Sequence, residues 1–321
     1  MKTLWMAVLI SVPLLAQPPQ QQTQQRAPLA QRIGHGDWSK ARMAGAHEGA
    51  GQLGIQQILG AGAIAGLNFM HYGPLQPKAS IGAHFHNDSE EMFFIISKDC
   101  QFTINGQTAL LQSPVGVPCQ LKHNHAVYNP NDEPAEWVNF NVRLGDPRAT
   151  GGRGGGGGRG GAVGGFSQFL MDPSGTFNLG DDRVGARLEP HPTFVNTGRM
   201  IAETARAVAN MNGGKGSVKF RRGLGPAIFE TNWAYVDFYS VPAGASIGAH
   251  VHRGVEEVYL VIKGEGSVKV NDETAPLKKG DAVPVKVNDV HSFENTGAGD
   301  LEFIVYGVAL DKGKLDIEDV K

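Results

Sequence analysis

Cysteine is scarce in this chain, aromatic residues are few and neither sign of charge dominates. There are two cysteines, 8% aromatics, and 29 basic against 31 acidic residues for a formal net charge of −2. Balanced charge removes the electrostatic case for a nucleic-acid partner or an anionic membrane surface. Cys100 and Cys119 lack metal-site spacing. Together they allow one disulfide, with two buried thiols as the equal alternative. Long apolar runs are also absent. The longest, Leu4 to Leu15, is shorter than the ~20 residues of a membrane-spanning helix. With Lys2 before it and Ala16 after it, this run has the layout of a secretory signal peptide over residues 1–16. The expected location is therefore secreted or periplasmic, with no membrane span after cleavage. Residues 17–29, rich in Gln and Pro, are expected to form a disordered leader.

What the chain has is a repeat. Residues 80–97, SIGAHFHNDSEEMFFIIS, recur as 246–263, SIGAHVHRGVEEVYLVIK, with nine of eighteen positions identical at an offset of 166. The same offset carries His125 onto His291, Asn129 onto Asn295, and Val117-Pro118 onto Val283-Pro284. Two copies of one unit follow, as a length of 321 residues also suggests. Between the copies, residues 145–165 are mostly glycine. We take 146–165 as a linker rather than an Arg-Gly nucleic-acid segment, because only three arginines and no interleaved aromatics occur there. The expected domains are 30–145 and 166–321. Short alternating apolar segments punctuated by Gly, Pro and Asn-Asp turns predict an all-β sandwich or barrel. One helical patch is expected over 200–210.

His250 and His252 are two apart, so on a strand both face one side. Glu257 opens the next strand and His291 lies on a later one. A rolled sheet can aim all four inward. His84, His86, Glu91 and His125 repeat the set, so six of the eleven histidines fall in two identically spaced triplets. A lone His-x-His is more simply a core or surface pair. Two full copies point to metal ligation. Three imidazoles and a carboxylate suit Mn, Fe or Cu, with Zn, Ni and Co also compatible, and leave positions open for water, O₂ or substrate. Strand parity places Tyr259, Val261 and Phe293 inside the second unit, and Phe93 and Val127 inside the first. Glu90 and Glu256 should point outward. Asp237 and His71, equivalent by the offset, are candidate partners of the ligands or surface residues. Gly180-Asp181-Asp182-Arg183 could bridge the domains or form a solvated turn.

These residues resemble the cupin superfamily, specifically its two-domain bicupins. The first motif reads Gly244, His250-x-His252, Glu257 and Gly264; the second reads Gly280, His291 and Asn295. In the first domain Lys78, Lys98 and Pro114 replace the motif glycines while the ligands are intact. The resemblance implies two tandem jelly-roll β-barrels with a few short helices and one divalent transition metal in each. It also implies a small-molecule substrate and a possible homo-oligomer. Expected activities range from dioxygenase-like oxidoreductase to metal-dependent decarboxylase, with Glu257, Tyr259 and Glu91 as candidate catalytic residues. The alternative is a non-catalytic binder of a sugar, small acid or metal. Oxalate decarboxylases of this type carry an arginine three residues before the first ligand histidine, where this chain has Ile81 and Ile247. Arg143 and Arg253 are the other candidates for that charge.

Overall fold

The computed structural model describes residues 26–145 and 175–319; the expected signal peptide and linker, and most of the expected leader, lie outside them. The described chain is built almost wholly of antiparallel strands, with a four-residue helix, Leu29–Arg32, and short 3₁₀ turns. Each repeat makes two facing sheets. In the first, Arg42–Ala44, Leu53–Gly60, Leu67–Leu75, Ala135–Arg143, Ser89–Ile95 and Val115–Cys119 form one sheet in that spatial order. Thr176–Asn178, Ser80–His86, His125–Tyr128, Cys100–Ile104 and Gln107–Leu111 form the other. The second repeat has a seven-stranded sheet with Val255–Lys263 and Leu301–Ala309 near its middle, facing a five-stranded sheet with His291–Glu294 beside Ser246–Val251. These are two jelly-roll barrels.

The barrels exchange their edges. Gly34–His35 pairs with Asp281–Val285 of the second barrel, and Thr176–Asn178 pairs with Ser80–His86 of the first. Residues 26–29, inside the span expected as leader, pack on the second barrel. Leu29 is buried and the Arg26 guanidinium grips Asp289 at 2.6 and 2.9 Å. One other expectation changes. Residues 200–210 hold a 3₁₀ turn, Ala202–Thr204, and a strand, Arg206–Ala209, rather than a helix. Arg206–Ala209 gains a ladder partner in Ser217–Leu224, and tertiary pairing overrides weak local helix propensity. Arg183 pairs with Asp181 within its own turn and donates to the Thr108 hydroxyl of the first barrel, so this segment from beyond the linker docks on that barrel by hydrogen bonds rather than by an ion pair. Cys100 and Cys119 are both buried free thiols.

Two of the three motif turns persist without their glycines; Pro114 cannot take the positive φ of Gly280. Lys78 and Lys98 take φ of 56° and 66° where Gly244 and Gly264 take 74° and 79°. Each lysine therefore sits in a left-handed conformation costing about 1–2 kcal/mol for a non-glycine residue.

Each barrel has its own interior cluster. A third and larger one lies between them, where Met70, Met92, Phe94 and Phe140 meet Trp233, Phe238, Val258 and Tyr306. Phe140 and Tyr306 are related by the repeat offset and stack on each other at 4.6 Å, which places the pseudo-two-fold axis through that contact. Polar groups cross the same boundary. Glu90 and Glu256 face away from the barrel interiors, as parity requires, yet both are buried. Glu90 reaches the second barrel and accepts from the Glu230 and Thr231 N–H groups and the Thr231 hydroxyl at 2.6 to 3.1 Å. Glu256 reaches back and accepts from Ala65 N–H at 2.6 Å. The residue before each cluster glutamate thus ties its barrel to the other.

Candidate metal centres

Strand pairing assembles each cluster. His84 lies opposite His125, and His250 opposite His291. Glu91 and Glu257 lie on the facing sheets, opposite Asn141 and Gly307 respectively. Each barrel thereby gathers four buried donors whose ligand atoms all lie within 4.8 Å of one another: His84, His86, Glu91, His125; and His250, His252, Glu257, His291. All eight sequence-predicted ligands converge, with none facing outward.

Hydrogen bonding orients the rings. His84, His250 and His291 donate Nδ1–H to the carbonyls of Gly82, Gly248 and Asp289 at 2.8, 3.0 and 3.1 Å. His252 makes the same bond to the Asp316 carbonyl. With the proton on Nδ1, each Nε2 presents its lone pair to the centre, the arrangement that fixes a metal-binding imidazole. His84 and His125 face each other through Nε2 atoms 2.7 Å apart. Glu91 Oε2, fully buried, accepts no hydrogen bond and stands 3.4 and 3.5 Å from His86 and His125. Glu257 Oε2 stands 3.4 and 3.3 Å from His252 and His291.

Charge states agree with this arrangement. Burial, then His291, lowers His250 to about 3; burial, helped by His86 and His47, lowers His125 to about 3 against the pull of Glu91. These imidazoles are neutral. Burial would raise both glutamates, but their histidine neighbours outweigh it and hold Glu91 and Glu257 below the usual carboxylate range. Neutral imidazoles with an ionised carboxylate are the protonation states a metal requires. Inward lone pairs and a buried carboxylate oxygen among them, unpartnered in the first barrel, fit one divalent metal per domain.

The walls differ. Tyr259, Val261, Phe293 and Phe303 line the second interior, and Phe93, Phe102 and Val127 the first. The Tyr259 hydroxyl donates to Glu257 Oε2 at 3.0 Å and lies 3.3 Å from His291 Nε2. Phe93 occupies the matching place and offers no hydroxyl.

Each centre is flanked by a segment from outside the repeat. Thr176 Oγ1 meets His86 Nδ1 at 2.9 Å. Asp316 binds the His252 ring through its carbonyl and the Gly254 N–H through its carboxylate. His47 stacks on His84 at 3.6 Å and bonds Asn178 at 2.8 Å. Neither Asp237 nor His71 bonds a cluster residue. Asp237 makes a bidentate pair with Arg222, and His71, lowered by burial to about 4, stacks on Phe69.

Sequence reasoning missed Tyr235 and Asn141. The Tyr235 hydroxyl donates to Glu257 Oε1 at 2.7 Å, and the Asn141 amide to Glu91 Oε1 at 2.8 Å. Parity with Asp237 on one strand could have found Tyr235. Nothing local marks Asn141, which the offset pairs with a glycine.

The profile described as a cupin domain matches residues 237–307. An oxalate-binding protein of Thermotoga maritima is 35% identical over 107 residues, covering 33% of this chain and 88% of that protein. Two solved structures share the fold across both barrels. Oxalate decarboxylase from Bacillus subtilis aligns with a TM-score of 0.55 at 14% identity, over 89% of this chain and 78% of that one. Salicylate 1,2-dioxygenase from Pseudaminobacter salicylatoxidans aligns with a TM-score of 0.50 at 16% identity, over 78% and 74%. The Bacillus subtilis enzyme is described with Mn(II) centres.

Proposed function

This chain belongs to the cupin superfamily as a two-barrel member, and from that premise we propose a metal-dependent enzyme acting on a small, oxygen-rich molecule. The reaction is an oxidation of the dioxygenase kind or a decarboxylation. His84, His86, Glu91 and His125 hold one ion, and His250, His252, Glu257 and His291 the other. Mn, Fe and Cu suit the donor set. The observation that carries this reading is the pair of buried clusters, each turning four donor atoms toward one point.

A bound ion supplies Lewis-acid polarisation of a substrate oxygen and, if redox-active, electron transfer between substrate and O₂. The chain's own groups do the rest. The apolar walls exclude water and strengthen every polar contact inside. Tyr259 orients a substrate oxygen through its hydroxyl, and Glu257 would take up a proton at Oε2 only when that oxygen is released from the ion. Glu91 is the corresponding acceptor in the first barrel, without a phenol beside it. Turnover is accordingly assigned to the second barrel.

Oxalate itself fits less well. A dianion in an apolar cavity needs a cationic partner. Ile81 and Ile247 are buried and apolar, Arg222 is committed to Asp237, and Arg253 donates to Asn288. A second reading, a binder of a small acid without chemistry, is favoured by the name of the 35% identical relative.

The test is metal analysis of protein from its native host, followed by O₂ uptake and CO₂ release with phenolics, diketones, oxalate and sugar acids. Turnover with an ion at the second centre supports the enzyme. Saturable binding with no product supports the binder, and an ion-free native protein refutes both metal roles. Export over residues 1–16 remains part of the proposal. A mature N-terminus near residue 17 in the cell envelope or medium supports it, and an intact Met1 in the cytosol refutes it.

A further inference from the structure

The two glutamates are anchored by different chemistry from different strands: the first from the adjacent strand, the second from the next strand beyond it. Oε2 of each faces the histidines, and Oε1 points away from the centre. In the second barrel, Oε1 of Glu257 accepts from the Tyr235 phenol at 2.7 Å, on strand Trp233–Val241. In the first barrel, Oε1 of Glu91 accepts from the Asn141 amide at 2.8 Å, on strand Ala135–Arg143. The repeat offset shows a reciprocal exchange: Phe69 stands where Tyr235 would be, and Gly307 where Asn141 would be. Register agrees, since Glu91 lies opposite Asn141 and Glu257 opposite Gly307.

Packing makes the two anchors mutually exclusive. A Cβ on Gly307 would lie 2.6 Å from a Tyr235 ring carbon, so the phenol occupies space that any side chain there would need. In the first barrel that space is filled by Asn141, and the Phe69 ring stacks on His71 instead, at 4.2 Å. Tyr235 is held in turn by the Arg222 guanidinium, 4.4 Å above its ring, which Asp237 fixes at 3.0 and 2.9 Å. Asn141 is steadied by Ser89 at 3.1 Å.

We propose that Tyr235 and Asn141 are positioning residues for the two metal centres, each locking the free oxygen of its own ligand glutamate, and that the phenol–amide exchange makes the centres inequivalent. This rests on the metal reading above. A ligand carboxylate left unanchored swings between one- and two-oxygen contact with its ion. Loss of such outer partners typically lowers metal affinity about 10- to 100-fold. A phenol O–H also withdraws more charge from a carboxylate than an amide N–H does, so the two ions experience different donors.

The experiment uses the full chain loaded with Co(II), read by its visible d–d spectrum and by two-phase release to a chelator. The phases are assigned with His84→Ala and His250→Ala, each emptying one centre. Tyr235→Phe keeps the ring and removes only the hydroxyl; Asn141→Leu keeps the shape and removes only the amide. The inference expects Tyr235→Phe to speed release about 10-fold or more and shift the spectrum at the second centre alone. Asn141→Leu does the same at the first centre alone. Unchanged phases and spectra overturn it, as do equal changes at both centres, which would mark a general structural effect. An unaltered chain that takes up no Co(II) at either centre refutes the metal reading and this inference with it, whereas two filled but indistinguishable centres refute only the inequivalence.

Discussion

Replacing Glu90 with Gln should loosen the two-barrel assembly without emptying the first centre. Glu90 is fully buried, and its two oxygens take four contacts from the other barrel: Glu230 N–H at 2.9 and 3.1 Å, Thr231 N–H at 2.7 Å and the Thr231 hydroxyl at 2.6 Å. Glutamine keeps one acceptor oxygen, which can serve Thr231. Its amide nitrogen then faces the Glu230 N–H, donor against donor, leaving that part-buried N–H only its longer 3.1 Å contact to the remaining oxygen. Losing the charge-assisted character of these bonds and weakening the one from Glu230 costs about 2–3 kcal/mol. Glu256→Gln is the internal control. Glu256 has one short bond, from Ala65 at 2.6 Å, and one long contact, from Val287 at 3.4 Å. Its single acceptor can keep the short bond, so the cost is about 1 kcal/mol or less. Urea unfolding of the metal-free protein measures both. With m of about 2–3 kcal/mol/M, Glu90→Gln lowers the midpoint by roughly 1 M, and Glu256→Gln by less than half of that. Metal stoichiometry stays the same in Glu90→Gln, since residues 90 and 91 point to opposite faces of one strand. The reasoning is refuted if Glu256→Gln costs as much as Glu90→Gln, or if Glu90→Gln changes the midpoint negligibly.

Three further outcomes follow from the same structure. Tyr306 is fully buried with no partner for its hydroxyl, and its repeat mate is Phe140. Tyr306→Phe should therefore raise stability by up to about 1 kcal/mol, whereas Phe140→Ala should lower it by about 3–5 kcal/mol; thermal melts that rank them otherwise contradict the packing account. The metal-free protein should lose stability as pH falls from about 6.5. Burial depresses His125 and His250 to about 3 and His71 to about 4 in the folded state, so the unfolded chain binds more protons in that window and its stability contribution is fully present only above the ordinary histidine value. A flat urea midpoint between pH 7 and 5 would rule this out. Removing His84 or His250 singly should halve the bound metal, to about one ion per chain, by elemental analysis. Loss of both ions from either change would mean that the centres do not fill independently.

Much of this protein is determined by its sequence alone, because the informative features are periodic or repeated. Period-two alternation places His250 with His252, and Glu257 with Tyr259, on shared faces whatever the sheet does beyond them. One offset running through His84, Glu91 and His125 forces both copies into one geometry, so two centres and two barrels were legible before any coordinate. Even two of the substitutions at motif glycines left their turns intact, since Lys78 and Lys98 accept the left-handed backbone. What lies between strands distant in sequence was decided only by tertiary structure. The helix expected over 200–210 gave way to a strand because Ser217–Leu224 offered a ladder. The exchanged edges, Gly34–His35 on the second barrel and Thr176–Asn178 on the first, depend on docking that no local pattern encodes. Glu90 and Glu256 face away from the centres as alternation requires, but their burial depends on a second barrel being there. Tyr235 and Asn141 acquire their role from cross-strand register. A glycine on one strand makes room for a phenol on the next, and that complementarity appears only when the strands lie side by side.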